Sequence, residues 1–412
     1  MKKIKMLSAA LAALCMAVSL ASCGGTDNAA DTSKTETTTT TTAAETEDKT
    51  AEAEAEMKGE TSSAAETTAA AEESAAETES TAEDNNAAYA YFDELNAEYE
   101  SEGDTTFKKL DINITANHKH SLFGFHNGTN NRKFWSVDED GNGSIILDMD
   151  KISADVPYQC SGYIYYRVRD IDTSSDSFHK ADIHGNEVAV SDPIPMGNCE
   201  ELLFIVPDGH VMTFDYTSGN YHYYVYSPDL KTKTELTTKP QFKNEHGEMT
   251  DYTSNLTQNN FIAGYKNRAY YYTGTGCGSY LDCETMEWVN FDLPEEFENG
   301  FGFIKSVGKY ALCARAVFDM ETLDTAYTFG GYNLKDYYGG DACIEFPTTS
   351  TADFYRLTPD SGNKESFKTY DNITKYSAVI DYDRYVVVDD YGVFVHTFEK
   401  GDSEETKAVS FE

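Results

Sequence analysis

From Phe107 onward the chain alternates: Leu110, Ile112 and Ile114 are apolar while Asp111 and Asn113 are polar, the period-two signature of a half-buried strand. Aromatic or aliphatic runs then begin at Ser121 (SLFGF), Gly162 (GYIYY), Leu202 (LLFIV), Arg268 (RAYYY), Lys309 (KYALC) and Arg384 (RYVVV). Successive starts lie 41, 40, 66, 41 and 75 residues apart, so three intervals are close to 40 and two read as 40 plus an insertion. Each start is followed by a second run, as in KFWSVD (133–138), SFHKAD (177–182) and VFVHTF (393–398), and most of these reach turn residues such as Asp140-Gly141-Asn142-Gly143 or His184-Gly185-Asn186. A third strand follows the turn, and a further short run such as Tyr376 to Ile380 precedes the next unit. Four-stranded sheets repeating at this spacing predict an all-β fold, a six-bladed β-propeller over 105–412, or seven-bladed if an insertion hides a blade.

Upstream the pattern changes. Tyr89, Phe92, Leu95 and Tyr99, three or four apart, predict a short amphipathic helix over 87–100 packed at the edge of the domain. Between Gly24 and Ala88 there is no Val, Ile, Leu, Phe, Tyr, Trp or Cys and a single Met, so the segment lacks the apolar surface to offset its ordering entropy. This is the composition of a disordered tether. The first residues read as a signal peptide: Lys2, Lys3 and Lys5, an apolar run from Met6 to Leu20, then Leu20-Ala21-Ser22-Cys23. The expected organisation is a signal peptide over 1–22, a tether over 23–104 ending in the helix, and the propeller over 105–412.

Leu20-Ala21-Ser22-Cys23 resembles the bacterial lipoprotein box, in which cleavage leaves the cysteine as a lipidated N-terminus. That resemblance implies a lipidated Cys23 and a cell-membrane location on the extracellular face, anchored without a spanning helix. The units GYIYY...FHKADIHGNEV, KFWSVDEDGNGS and FYRLTPDSGN resemble bacterial surface propellers related to the low-density-lipoprotein-receptor type. Phe134-Trp135-Ser136-Val137-Asp138 echoes that receptor's Tyr-Trp-Thr-Asp tetrad. The resemblance implies a fold and no activity.

Charge narrows the partners. The net charge is -39, but residues 1–104 carry 23 acidic and 6 basic residues, leaving 48 and 26 for the rest. Such a surface offers no basic patch for phosphate backbones, which excludes nucleic acid as the expected partner. Counting strands outward from each start places the insertions at 237–260 and 319–351, with the excursion at 207–220, on one face. Long loops on a rigid scaffold carry function disproportionately. The candidate binding residues are therefore Phe242, His246, Tyr252, Tyr327, Phe329, Tyr332, Tyr337 and Tyr338, whose rings suit sugars or a protein partner unless they pack the insertion onto the propeller.

Other chemistry is thinner. Asp138-x-Asp140-x-Asn142-Gly143 resembles the start of a calcium loop but has Met149 where a bidentate carboxylate is required, so it reads as a hairpin turn. His118, His120 and His126 could approach one another near one inter-strand loop as zinc ligands, but a solvated loop is the better reading. No cofactor, metal or catalytic residue is assigned. Cys160, Cys199, Cys277, Cys283, Cys313 and Cys343 permit disulfides, with Cys277 and Cys283 the expected first pair across one hairpin. The expectation is a surface lipoprotein that binds an extracellular protein or glycan. The alternatives are an extracellular propeller enzyme, hydrolase or lyase, and a structural lipoprotein without a small ligand.

Overall fold

The computed structural model describes residues 90–412 apart from scattered loop positions, chiefly 111–115, 197–199, 331–333 and 358–362. The expected signal peptide, Cys23 and the expected tether up to residue 89 lie outside the described residues, as do Ile112, Ile114, His120, Cys199 and Tyr332. Among the described residues the strands form seven blades, each one contiguous and antiparallel in sequence order. They span 116–148, 158–190, 201–236, 261–292, 303–328, 337–371 and 378–410, numbered blades 1 to 7. Blade 2 carries extra short strands, Lys108–Lys109 along its first strand and Ile194–Pro195 on its third. A separate hairpin pairs Gln241–Lys243 with Met249–Asp251.

Seven blades, not six, follow from the stretch 319–351. It is no insertion between two strands of one blade. It holds the last strand of blade 5, Asp324–Thr328, and the first two of blade 6, Tyr337–Gly339 and Ala342–Thr348. The aromatic runs also mark second strands in five cases out of six; only Glu201–Ile205, which holds the first four residues of LLFIV, is a first strand.

Seven clusters of buried side chains join the blades into a closed ring. Phe123, Phe125 and Phe134 of blade 1 meet Ile164 and Tyr166 of blade 2. Equivalent clusters join blades 2 and 3, 3 and 4, 4 and 5, 5 and 6, and 6 and 7. The seventh brings Leu122, Trp135 and Val137 of blade 1 against Val386, Val393 and Val409 of blade 7. Period-two alternation explains this: both faces of each sheet are covered by a neighbour, so each strand buries side chains on both sides. Gly124 lies beneath Trp135, and a Cβ there would come within 2.1 Å of the indole.

The helix α1, Ala90–Glu102, is not at the edge. Tyr91, Phe92, Leu95 and Tyr99 are buried within the cluster between blades 5 and 6, against Tyr310, Leu312, Phe329, Tyr337 and Tyr355. Its polar face meets the rim of this wedge: Tyr310 and Tyr327 hydroxyls donate to Glu94, Tyr337 to Asn96, and Tyr99 to Asn117 of blade 1. Burial and the Glu94 carboxylate push the Tyr327 phenol well up, which keeps it a donor. The helix ends at Gly103, left-handed with φ +74°, whose N–H bonds the Tyr99 carbonyl at 2.8 Å.

Residues 103–110 then cross the axis where first strands converge. Asp104 bridges Val307 of blade 5, Lys108 and Lys109 pair with blade 2, and Phe107 stacks on Tyr158 and meets Phe261 edge-on. His118 of blade 1 closes over Gly103, its Nδ1 3.2 Å from the Asp104 carbonyl oxygen.

Two outcomes follow. Phe92→Ala and Leu95→Ala are each expected to cost about 2–5 kcal/mol in urea unfolding, and starting the chain at residue 105 is expected to cost more; unchanged midpoints would make the helix peripheral. Burial pushes the His118 imidazole below its ordinary 6.5. The unfolded chain therefore takes up a proton that the fold refuses, so the His118 contribution is present above that value and is lost as pH falls below it. The urea midpoint should drop between about pH 7.5 and 5.5, and drop less in His118→Gln; equal slopes would remove His118 as the cause.

Candidate functional site

Blade order assigns every connection to one of two faces, because consecutive antiparallel strands run in opposite directions. Connections from first to second and from third to fourth strands share one face, here the turn face. Those from second to third strands and between blades share the other, the loop face. The turn face is made of tight turns closed by aspartates: Asp138 accepts from the N–H groups of Asp140 and Asn142, and Asp182 from those of His184 and Asn186. The calcium-like stretch is thus a hairpin turn whose first carboxylate is occupied by its own loop. The chain also enters on this face, since α1 packs against Gly308 and Lys309 in the first turn of blade 5.

The loop face differs in kind. Of the large hydrophobic side chains that are exposed, Ile145, Val188, Val289 and Phe367 lie on outer strands, while Ile171, Tyr216, Tyr221, Met249, Tyr376 and Tyr391 lie on or beside loop-face connections. Among the described residues none lies on the turn face. Three consecutive inter-blade connections, 237–260, 293–302 and 329–336, gather on one side of the loop face.

The densest aromatic group there is the tip of the hairpin formed by Val211–Thr217 and Asn220–Tyr226 in blade 3. Register places Phe214 opposite Tyr223 and Tyr216 opposite Tyr221, all four on one side of the hairpin. Ring centroids are 4.9 Å apart for Tyr216 and Tyr221, 5.7 Å for Phe214 and Tyr221, and 6.4 Å for Tyr221 and Tyr223. The inner pair packs toward blade 4, where the Tyr223 hydroxyl accepts from the Leu256 N–H. The outer pair projects past that cover: Tyr216 is 61% exposed and Tyr221 41%.

The opposite side of the hairpin is pinned. Asp215, buried, accepts from Thr217 and Tyr224 hydroxyls at 2.9 and 3.1 Å. Burial and Asp215 push the Tyr224 phenol up to about 12, so it remains a donor. Deeper in, buried Glu200 takes the Thr213 and Tyr226 hydroxyls and the Lys233 ammonium, which lies 3.9 Å over the Tyr224 ring. A ladder of flat rings therefore stands on a hydrogen-bonded base, a preorganised surface.

The residues expected from sequence are not brought together as one surface. Phe329 and Tyr337 are each 1% exposed, and Tyr327 is half-buried beneath α1; all three belong to the wedge between blades 5 and 6. Tyr338 lies in the first strand of blade 6, its side chain outside the described set. Phe242 and Tyr252 pack edge-on at 6.3 Å in the 237–260 connection, seated on blade 4 through Gln241 and Ser279, with His246 exposed at its turn. Cys277 and Cys283 lie at opposite ends of one strand, some six residues or roughly 20 Å apart, and are free and buried. Burial pushes the Cys283 thiol well up. His118 sits by the turn face and His126 stacks on Phe411 at 4.1 Å, so the two do not converge.

At the loop-face end of blade 5, against the connection arriving from blade 4, lies a cleft of about 710 Å³ lined by Glu295, Glu296, Phe297, Phe301 and Arg315, with Gly300, Gly302 and Gly330 at its walls.

No family of known proteins matches this chain, and no curated protein matches it. Among solved structures it is similar to an uncharacterised protein of Listeria monocytogenes, at 8% identity, TM-score 0.30, covering 74% of this chain and 84% of that one. It is also similar to the propeller domain of the trilobed protease of Pyrococcus furiosus, at 9% identity, TM-score 0.28 and 71% and 79% coverage. A third is TolB of Acinetobacter baumannii, at 10% identity, TM-score 0.29 and 68% and 62% coverage. At such values the propeller rests on the sheet topology and the seven interfaces described above.

Proposed function

We propose that this protein is a lipid-anchored cell-surface binding protein that recognises an extracellular glycan through the loop face of its propeller. The observation that carries the reading is the ladder of Phe214, Tyr216, Tyr221 and Tyr223, exposed at its tip and pinned at its base. Sugar rings present flat C–H faces and hydroxyl edges. Tyrosines supply a flat apolar face with a polar rim at low conformational cost, which suits that geometry. The asymmetry of the two faces supports the same reading, because the chain enters on the turn face and leaves the loop face open. The lipoprotein-like Leu20-Ala21-Ser22-Cys23 supports the anchor, and the acidic surface suits a neutral ligand better than a polyanion.

A glycan array probed with the full chain is the test. Tyr216→Ala and Tyr221→Ala should each weaken binding roughly tenfold or more, with stability changed by about 0.5 kcal/mol or less because both rings are exposed. Undiminished binding in the double variant would overturn the assignment of the site. For the anchor, Cys23→Ala should release the protein from the membrane fraction, and retention there would overturn it.

A further inference from the structure

Arg315 stands apart from the other arginines of this acidic protein. Arg132, Arg167, Arg169 and Arg384 are ion-paired to Asp150, Asp155, Asp176 and Asp381. Arg268 and Arg356 lie over the rings of Tyr280 and Phe367 at 4.9 and 5.5 Å. Arg315, in the loop-face connection between the second and third strands of blade 5, is exposed and has no side-chain partner among the described residues. It lines the cleft at the loop-face end of blade 5.

The rest of the lining constrains what an idle guanidinium could hold there. A planar fork of five donors selects a carboxylate or phosphate. Glu295 and Glu296 line the same cleft, within the 293–302 connection, and neither is paired with Arg315. Two carboxylates repel a ligand that brings only negative charge, so the ligand must also bring donors for them. Phe301 supplies an apolar wall, and Gly300, Gly302 and Gly330 let a ring approach the backbone closely. A volume of about 710 Å³ is in the range of small-ligand sites.

We propose that this cleft binds a carboxylate-bearing sugar, with the carboxylate on Arg315, ring hydroxyls donating to Glu295 and Glu296, and the ring face against Phe301. This rests on the glycan reading above and makes the cleft a second subsite on the loop face, distinct from the tyrosine ladder.

The test is calorimetric titration of the full chain with a galacturonic acid trimer, its methyl ester, a galactose trimer, sodium acetate and alanine. Binding of the free acid trimer roughly tenfold or more tighter than that of the methyl ester or the neutral trimer, which keep only what the rings supply, is expected. Arg315→Ala should weaken the acid trimer roughly tenfold to a hundredfold, Arg315→Lys less, and Glu295→Gln with Glu296→Gln should weaken it while leaving acetate no worse bound. Equal binding of acid and ester overturns the proposal, as does acetate or alanine binding as tightly as the trimer. Circular dichroism of each variant checks the fold. Because Tyr216→Ala and Tyr221→Ala leave the cleft intact, loss of neutral-glycan binding there with no acid binding here would retain the glycan reading and sink only this one; no binding by either would sink both.

Discussion

The ring depends on a seam that no backbone hydrogen bond is needed to close. Every blade is contiguous in sequence, so blades 1 and 7 meet as two complete sheets, through Leu122, Trp135 and Val137 on one side and Val386, Val393, Val409 and Phe411 on the other. Apolar burial of this kind is non-directional, and each large side chain contributes about 1.5–3 kcal/mol. Direction is added at its margins, where the Asn131 amide donates to the Phe411 carbonyl and Arg384 to the Glu139 carbonyl. These contacts join residues about as far apart in sequence as the domain allows, whereas each blade folds from local hairpins. Closing the seam therefore carries a large loop-closure entropy and has side-chain packing with these few side-chain hydrogen bonds to set against it.

A second interface is completed by a foreign element. Between blades 5 and 6, four of the buried side chains come from α1, and their tyrosine partners are satisfied by Glu94 and Asn96 of the same helix. Removing the helix would leave both an apolar cavity and orphaned hydroxyls, which cost more together than either alone. The segment following it then spends its hydrogen bonds on Val307, Ser306 and Gln159, occupying the axis from the turn face.

The repeat was legible in sequence because aromatic alternation survives in the middle strands, which are buried on both sides. Its phase was not. First strands near the axis are short, such as Ala378–Val379 and Ala116–His118, and carry little periodic signal, so a reader starts five units of six one strand late. Blade 6 hid for the same reason: its second strand, Ala342–Thr348, has Cys, Glu and Pro where the others have Tyr, Phe or Val. For α1 the spacing was visible but its surroundings were not, since a stripe of Phe92, Leu95 and Tyr99 looks alike whether it covers an edge or fills a gap. Loop length drew attention to Phe329 and Tyr337, which the helix claims as core. The pair Tyr216 and Tyr221 went unmarked because alternating aromatics read as an ordinary half-buried strand. What sequence does hold is their position at a hairpin tip, beside Gly219, beyond the reach of the next blade's shorter strand.

The two proposed subsites differ in what holds them rigid, and this bears on how they would act together. The tyrosine ladder is braced by Glu200 and Asp215, groups inside blade 3, so its geometry is fixed before a ligand arrives and little ordering entropy remains to be lost. Arg315 has no such brace, and its side chain would lose rotamer freedom on binding. A ligand long enough to span from blade 3 to blade 5, held first on the rings, would present its acidic residue to Arg315 at high local concentration, and the cost of ordering that side chain would be met by an intramolecular step. Rings then supply the common affinity and the guanidinium the discrimination. A flat, sequence-tolerant surface beside one charged fork is a way for an acidic protein to prefer an acidic sugar without a basic surface.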